Sequence, residues 1–507
     1  MPMLRVLSVW AAAMSDARQL IDKLIAYRNV LRDAGVGVIE YTEQLTYLLF
    51  LKMAHERATR KLAPQVIVPE EYSWQRLLDA DGQELETVYS QILTGLASQT
   101  GTLGTIFRKS QNRVQDPALL KKLVVDLIGQ ENWSAGGTNF TGDVYEELLS
   151  KGAADQGTGA GQYFTPRELI KAIVDVVQPT SNDSVVDPAC GTGGFLLFAH
   201  EYAARDAEKL TPPERDHLRD SFARGFDISD GTARLAAMNL MLHGIGTPDG
   251  ESLIEVRDAL IADPGQRWPV VLTNPPFGKK SSITMVGADG REARDDSAIE
   301  RQDFVVTTTN KQMNFLQHIM TILDINGRAA VVMPDNVLFE GGVGEILRKR
   351  LLRDFDFHTM IRLPTGIWYA TGVKANVLFF DKKPASESPW TTKLWVYDFR
   401  TNQHFTLKQK PLRRGDLDEF VDLYKPGDHD ARSDGGAESR WRSFTYEELM
   451  ARDKVNLDIT WLRDDSLEDL ENLPSPEIIA REIVEDLTAA LADFEAVASA
   501  LEGSASD

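Results

Sequence analysis

Apolar and polar positions follow three rhythms along the chain. Over the first ~155 residues apolar side chains recur every three or four positions, as in 21–25 and 44–53, with few strand signals. That spacing predicts a helical block. Gly35-Val36-Gly37 breaks its first pair of helices, and a further helix is predicted over 139–149 with Thr141 as its N-cap. The small, Gly-rich run 151–161 reads as a loop between domains. From about 162 to 385 short apolar runs (184–186, 222–228, 270–272, 329–333) alternate with helical ones (195–205, 231–242). Such alternation predicts a parallel sheet with helices on both faces. The runs 360–363 and 375–380 follow one another without a full helix between them, which suits a closing hairpin. The polar, aperiodic stretch 281–310 reads as a mobile insertion. Last, Ile478, Ile479, Ile483, Val484, Leu487, Leu491, Phe494, Val497 and Leu501 form one apolar stripe on a long helix over 477–501, which packs on its own domain or docks a partner.

Composition narrows the class. Hydrophobic residues make up 43% of 507 and charged residues 26%, which excludes disorder of the whole. Cys190 is the only cysteine, which excludes a disulfide scaffold, and no Cys/His spacing supports a metal site. No apolar run is long enough to span a membrane. The segment 6–14 is read as a first helix, or as an over-extended start with the initiator at Met14, rather than as a signal peptide. A cytoplasmic protein is expected. Its 76 acidic residues against 55 Lys and Arg give a net charge of −21, which argues against grip on nucleic acid. The charge is uneven, however. Residues 463–507 hold 13 acidic and two basic residues, leaving only −10 for the other 462 positions. Local basic surfaces, such as 57–61 and 348–350, remain open to DNA.

Three constellations carry chemistry. Asp187-Pro188-Ala189-Cys190-Gly191-Thr192-Gly193-Gly194 follows a predicted strand and opens a helix. Glycines there let backbone approach a ligand at the N–H groups of a helix terminus. The third glycine of the dinucleotide fingerprint is missing, and so is a triphosphate loop. Asp187 can accept from an ammonium or a hydroxyl, or can simply cap the helix. Asp227 ends the next strand, where an acid can accept both hydroxyls of a ribose or sit in a surface turn. Asn274-Pro275-Pro276-Phe277 ends the strand after that. An exocyclic amine on a base is a poor nucleophile, because its lone pair is delocalised into the ring. The Asn274 side-chain oxygen and the Pro275 carbonyl can accept its two hydrogens and favour a pyramidal nitrogen. The prolines fix the backbone so that both acceptors converge, and Phe277 can stack on a base turned out of the duplex. A proline-rich strand cap accounts for Pro275 and Pro276 but not for Asn274 with Phe277. His243, Cys190 and Phe379-Phe380 take only structural readings.

Asp187–Phe195, Asp227 and 274–277, in that order, resemble the amino-methyltransferases that use S-adenosylmethionine. More closely, the chain resembles the adenine-specific modification subunit of type I restriction–modification systems. The likeness takes in 47–52, Gly161-Gln162-Tyr163-Phe164-Thr165-Pro166, 239–244, Asn314-Phe315, Gly327-Arg328 and Leu363-Pro364. It implies a Rossmann-like α/β methyltransferase domain with a mostly parallel seven-stranded sheet, an all-helical N-terminal domain and a C-terminal helix. The implied divisions are 1–155 (helical, DNA clamp and subunit contacts), 156–390 (catalytic), 391–462 (an extension of the catalytic domain) and 463–507 (acidic tail). It implies that Gln162, Tyr163, Phe164 and Thr165 help hold the methionine part of S-adenosylmethionine. Asp187, Pro188, Gly191, Gly193 and Gly194 form the cofactor loop, and Asp227 binds the ribose. Asp258 meets the cofactor's adenine amine, with Glu251 as a rival. Asn274, Pro275, Pro276 and Phe277 are the implied catalytic residues. Trp368 is either a second stacking aromatic or core.

The expected activity is methyl transfer to N6 of adenine in DNA. The expected partners are DNA, a specificity subunit, a second modification subunit and a restriction/translocase subunit. No nuclease or translocation motif is present, and the residues after 385 are too few and too acidic for a base-reading domain. The alternatives are a stand-alone DNA enzyme, a methyltransferase on RNA or protein glutamine, and an inactive scaffold.

Overall fold

A computed structural model of the chain describes residues 38–61, 64–131, 133, 165–277, 283–286, 292–295, 298–368, 373–407 and 409–463. The predicted helices over 21–25, 139–149 and 477–501, the break at Gly35-Val36-Gly37 and the loop 151–161 lie outside the described residues. By packing the chain divides into two units, Met1–Arg400 with His404–Thr460, and Thr401–Gln403 with Trp461–Asp507. The sheet, the helical block and the candidate site all belong to the first unit. No helix among the described residues is long and apolar enough to cross a membrane.

The sheet begins with β1 (Val185–Asp187), β2 (Ala223–Asp227), β3 (Ile254–Val256) and β4 (Trp268–Thr273). A separate antiparallel pair, β5 (Ile283–Val286) and β6 (Glu292–Asp295), follows. The sheet resumes with β7 (Leu323–Pro334), β8 (Phe355–Arg362), β9 (Ala375–Lys382), β10 (Lys393–Asp398) and β11 (Trp441–Thr445). Its spatial order is β3-β2-β1-β4-β7-β9-β8-β10-β11. The first five strands in that order are parallel, and β9 runs antiparallel to both β7 and β8, as the hairpin reading expected. Val185, Val186, Val270, Val271 and Leu272 are wholly buried, which fits strands covered on both faces. The chain steps outward from β1 to β3, then crosses back to lay β4 on the other side of β1. The reversal leaves a crevice beyond the carboxyl ends of β1 and β4, where ligands bind in open α/β sheets.

Seven strands make the expected core, and two more extend it to nine. The extra strands, β10 and β11, come from the segment 391–462 and are locked by stacked Trp395 and Trp441 rings 5.3 Å apart. Their short runs fall outside the strand–helix rhythm, so periodicity does not reveal them. The 281–310 insertion also differs from its reading. Part of it forms β5 and β6, and its end is packed into the domain through Arg301.

Helices α1 (Val38–Ala58), α2 (Gly82–Ala97) and α3 (Gly101–Phe107) build the N-terminal block. Leu45, Tyr47, Leu48, Leu49, Phe50 and Leu51 are all buried, so α1 is apolar around most of its girth and sits at the block's centre. Buried Gln44 is tolerated because its amide is hydrogen-bonded at both ends. It donates to the Gln111 carbonyl at 2.9 Å and accepts from the Tyr89 hydroxyl at 3.2 Å and the Arg113 N–H at 3.3 Å. The sheet is flanked by α4 (Arg167–Val177), α5 (Gly194–Ala203), α6 (Pro212–Asp220) and α7 (Asp230–Leu242). Helices α8 (Lys311–Ile322) and α9 (Val343–Asp354) follow. Arg234 of α7 joins the two parts. It donates to the Tyr47 hydroxyl at 2.7 Å, to the Arg108 carbonyl at 3.2 Å and to the Glu43 carboxylate.

Neither basic run is wholly a surface. Arg57 is buried. Arg348 is buried too, and its guanidinium donates to the carbonyls of Val337, Glu340, Lys454 and Val455 at 2.7–2.9 Å. It ties the segment 337–340 to Lys454 and Val455 and offers no charge to a phosphate.

Candidate active site

β1 ends at Asp187 and the chain turns through Gly191 and Gly193 into α5. Both glycines have left-handed backbone, with φ +54° and +83°, where a side chain would be strained. The turn is closed by a 2.8 Å bond from the Gly193 N–H to the Cys190 carbonyl and tied to β2 by a 2.9 Å bond from the Cys190 N–H to the Phe226 carbonyl. Pro188 and Cys190 are buried and serve as filler beneath it. Asp187 is 1% exposed. Its Oδ1 accepts from the Ala189 N–H at 3.0 Å and from the Thr273 hydroxyl at 2.6 Å. Burial pushes this carboxyl up to about 7; those two bonds oppose the rise, and the Asp227 charge adds to it. Asp187 therefore caps its own turn rather than the first turn of α5, and Thr273 ties the end of β4 to it.

Asp227, at the end of β2, reaches sideways to the same turn. Its Oδ2 accepts from the Gly191 N–H at 3.1 Å and its Oδ1 from the Ser229 N–H at 2.8 Å. Burial raises this carboxyl as well, against the two backbone bonds and the Lys311 charge. The loop after β3 lies alongside, because the Arg257 N–H donates to the Asp227 carbonyl at 2.8 Å. Asp258 sits in that loop with its Oδ1 accepting from the Leu260 N–H at 2.9 Å. Glu251 precedes β3, is exposed and pairs with Arg224 at 3.4 Å, at the opposite end of the strand from Asp227. Asp258 thus follows the carboxyl end of β3, beside the end of β2, whereas Glu251 lies at the other end of the strand. Arg301 of the insertion holds the Asp258 loop in place. Its guanidinium donates to the Ala259 and Leu260 carbonyls at 3.3 and 3.4 Å and pairs with Asp303 at 2.7 Å.

Asn274 leaves β4 beside these groups. Its Nδ2 donates to the Thr165 hydroxyl at 2.9 Å, while its Oδ1 is buried with no hydrogen-bond partner among the described residues. Pro275 is buried and Pro276 half-buried. Phe277 is half-buried and meets Trp368 edge to face, with ring centroids 6.3 Å apart. Trp368 itself is 5% exposed, so it backs Phe277 as core and is not a second exposed stacking ring. Gln162, Tyr163 and Phe164 lie outside the described residues. Three contributors went unassigned from sequence: Thr273, Arg301 and Lys311. Only Thr273, a hydroxyl between an apolar strand and the Asn-Pro-Pro-Phe run, left a local signal.

Comparisons with known proteins place the chain in a family. The profile described as N-6 DNA Methylase matches residues 137–460, and that described as HsdM N-terminal domain matches 20–127. The EcoKI type I methylase subunit of Escherichia coli (strain K12) is 36% identical over 94% of this chain and 94% of its own. The chain belongs to the N-6 DNA methylases of type I restriction enzymes. The StySJI methylase subunit of Salmonella typhimurium (strain LT2) is equally similar, at 36% over 94% of both chains. Among solved structures, the EcoKI M protein is 32% identical over 95% of this chain and 96% of that one, with a TM-score of 0.53. The modification subunit of a putative type I restriction enzyme from Vibrio vulnificus YJ016 is 26% identical, covers 90% and 98%, and has a TM-score of 0.69.

In this type I methylase subunit several resembling motifs turn out to brace the site. Asn239 donates to the Thr192 carbonyl at 3.1 Å and so holds the glycine turn against α7. Phe315 packs on Ala259 and Leu260 behind the Asp258 loop. Arg328 donates to the last carbonyls of α4, Val177 at 2.8 Å and Gln178 at 3.0 Å, and pairs with Asp183.

Proposed function

We propose that this chain is the modification subunit of a type I restriction–modification system, acting in the cytoplasm. It transfers a methyl group from S-adenosylmethionine to N6 of an adenine turned out of duplex DNA. One observation carries the reading. The Asn274 Oδ1 is buried and unpartnered at the mouth of the crevice, beside a half-exposed aromatic face. A buried acceptor left unpaired costs about 1–3 kcal/mol. An arriving exocyclic amine supplies the missing donor and offsets that cost, and an alkyl or carbonyl group does not.

The residues present also fit the cofactor. Two left-handed glycines keep the turn free of Cβ atoms, and two raised carboxyls lie next to it, Asp187 buried and Asp227 half-buried. Asp187 would accept from an ammonium or hydroxyl, Asp227 from the ribose hydroxyls and Asp258 from the adenine amine. Gln162, Tyr163 and Phe164, with Pro188 and Gly194, complete the set by resemblance. S-adenosylmethionine supplies an electrophilic methyl group when bound. The chain's own work lies on the acceptor side. Asn274 Oδ1 and the Pro275 carbonyl take the two amine hydrogens and pull the nitrogen toward a pyramidal shape. Phe277, braced by Trp368, stacks on the displaced base. No side-chain base is needed, because the proton can leave once the nitrogen carries its new bond.

Specificity falls to other chains. The charge of −11 over residues 463–507 supports a partner that supplies grip and sequence. We assign that role to a specificity subunit serving two modification subunits, with cleavage on a restriction/translocase subunit. The test is methylation of duplex DNA by the purified chain with and without the specificity protein. Methylation only with it supports the subunit reading; activity on a defined sequence by this chain alone sinks it.

A further inference from the structure

We infer that Phe339 stacks on the bases left bare when the adenine leaves the duplex, while Lys454 beside it meets a backbone phosphate. This rests on the methyltransferase reading above and adds a grip on the duplex outside the pocket for the reacting base. Phe339 is 42% exposed, and it is the one exposed aromatic ring among the described side chains; the others are buried or half-buried. A flat apolar ring left in water is a stacking face without a partner, and a base can cover it. Its place in the fold supplies that partner. Phe339 ends the short helical turn Asn336–Phe339, which leaves the carboxyl end of β7. β7 lies parallel to β4, with Val331 opposite Thr273, so the turn emerges on the same side of the sheet as Asn274. The glycine turn and Asp227 lie on the β1 side of β4. Phe277 leans the other way, onto Trp368 from the loop after β8. Cofactor and base thus reach Asn274 from opposite sides, and Phe339 stands on the side that the duplex must cross.

The turn holds its ring still. Arg348 donates to the Val337 and Glu340 carbonyls at 2.8 and 2.7 Å, and the Leu457 N–H donates to the Leu338 carbonyl at 2.9 Å. Both oxygens of the Glu340 carboxylate are taken, by Asn310 Nδ2 at 3.1 Å and Asn336 Nδ2 at 3.0 Å. The same Arg348 guanidinium holds the Lys454 and Val455 carbonyls at 2.8 and 2.9 Å. Lys454 is exposed, and its stem runs over Gly341, where a Cβ would meet Lys454 Cδ at 3.4 Å. One buried arginine therefore mounts an exposed ring and an exposed ammonium on neighbouring stretches of surface. That pairing matches a base and its phosphate, whereas an apolar protein surface would leave the ammonium without a counter-charge. Proteins that open a base stack set apolar wedges, phenylalanine among them, against the gap.

A base is hardest to unstack when it is paired and easiest when it is mismatched, and that difference supplies the test. In complex with the specificity partner, Phe339→Ala should slow single-turnover methylation at saturating cofactor by about five- to a hundredfold on a fully paired site. With the target adenine opposite a mismatched base, the loss should shrink below about threefold. Phe339→Trp should keep most of the wild-type rate. Cofactor affinity and assembly with the specificity partner should stay within about twofold of wild type, as for other exposed positions. Lys454→Gln should lower the slope of log affinity for DNA against log salt by about one. Equal losses on paired and mismatched sites, or no loss on either, would overturn the Phe339 assignment. So would an alanine variant that fails to assemble, because the ring would then belong to a protein contact. An unchanged salt slope would overturn the Lys454 assignment. A wild-type complex that binds cofactor but methylates neither duplex would overturn the methyltransferase reading instead.

Discussion

Replacing Asp187 with asparagine removes a charge that the fold holds at a cost. Burial raises this carboxyl from 3.8 to about 7, which at roughly 1.36 kcal/mol per unit amounts to about 4 kcal/mol against the ionised form. The sign follows from proton counting. Between about pH 4 and 7 the folded chain holds a proton that the unfolded chain has released, so stability falls as pH rises through that window and is level above it. Asparagine has no such proton, and its side-chain oxygen can still accept from Thr273 and Ala189. Asp187→Asn should therefore raise the Tm at pH 7.5 and change it little near pH 4. Binding moves the other way. With Asp187 holding the ligand's ammonium, which needs the ionised carboxylate, wild-type affinity for S-adenosylmethionine should weaken about eightfold from pH 7.5 to 6.0, with a proton released on binding at the lower pH. That range stays below the midpoint of the ligand's own amine, at about 7.7–8.0. Calorimetry in two buffers of different ionisation enthalpy measures both affinity and proton count. Asp187→Asn should bind weakly with a flat pH profile. Wild-type affinity that ignores pH, or an asparagine variant that binds as tightly as wild type, would refute the reasoning.

Other residues yield narrower tests. Arg301→Ala frees the carbonyls of the Asp258 loop and should weaken cofactor binding by roughly fivefold, about 1 kcal/mol, leaving the single-turnover rate at saturation unchanged. Arg234→Met cuts the tie between the helical block and α7. It should lower stability to urea by about 2 kcal/mol, less than the roughly 3–5 kcal/mol of a fully buried pair, because Glu43 is one-third exposed. Phe277→Ala should cost about 1–3 kcal/mol of base stacking, read as a slower rate at constant cofactor affinity, and Phe277→Tyr should restore most of it.

Much of the site could be read from residues alone, because its parts sit at strand ends and strand ends are marked by short apolar runs. Asp187, Asp227 and Asn274 each close such a run, and the sheet order brings all three to one crevice. What could not be read depends on contacts between distant segments. Thr273 and Asp187 are 86 positions apart and Thr165 and Asn274 are 109, and no periodicity reports a pairing at such range. β10 and β11 were hidden for a related reason, since their stability comes from Trp395 on Trp441 rather than from a strand–helix repeat. The basic runs misled in the opposite direction. Arg348 looks like surface charge beside Lys349 and Arg350, yet only one of the three faces inward, and helical phase decides which.

The central claim is that Asn274 presents its side-chain oxygen to the amine of a displaced adenine. The most direct measurement is mass analysis of nucleosides digested from duplex DNA after reaction with the chain and its specificity protein. The comparison is between wild type and Asn274→Ala, with cofactor affinity measured on both. The account predicts N6-methyladenine with wild type and none above background with Asn274→Ala, at cofactor affinities that agree within a few fold. N6-methyladenine from Asn274→Ala at the wild-type rate, or glutamine methylation with none in DNA, would contradict it.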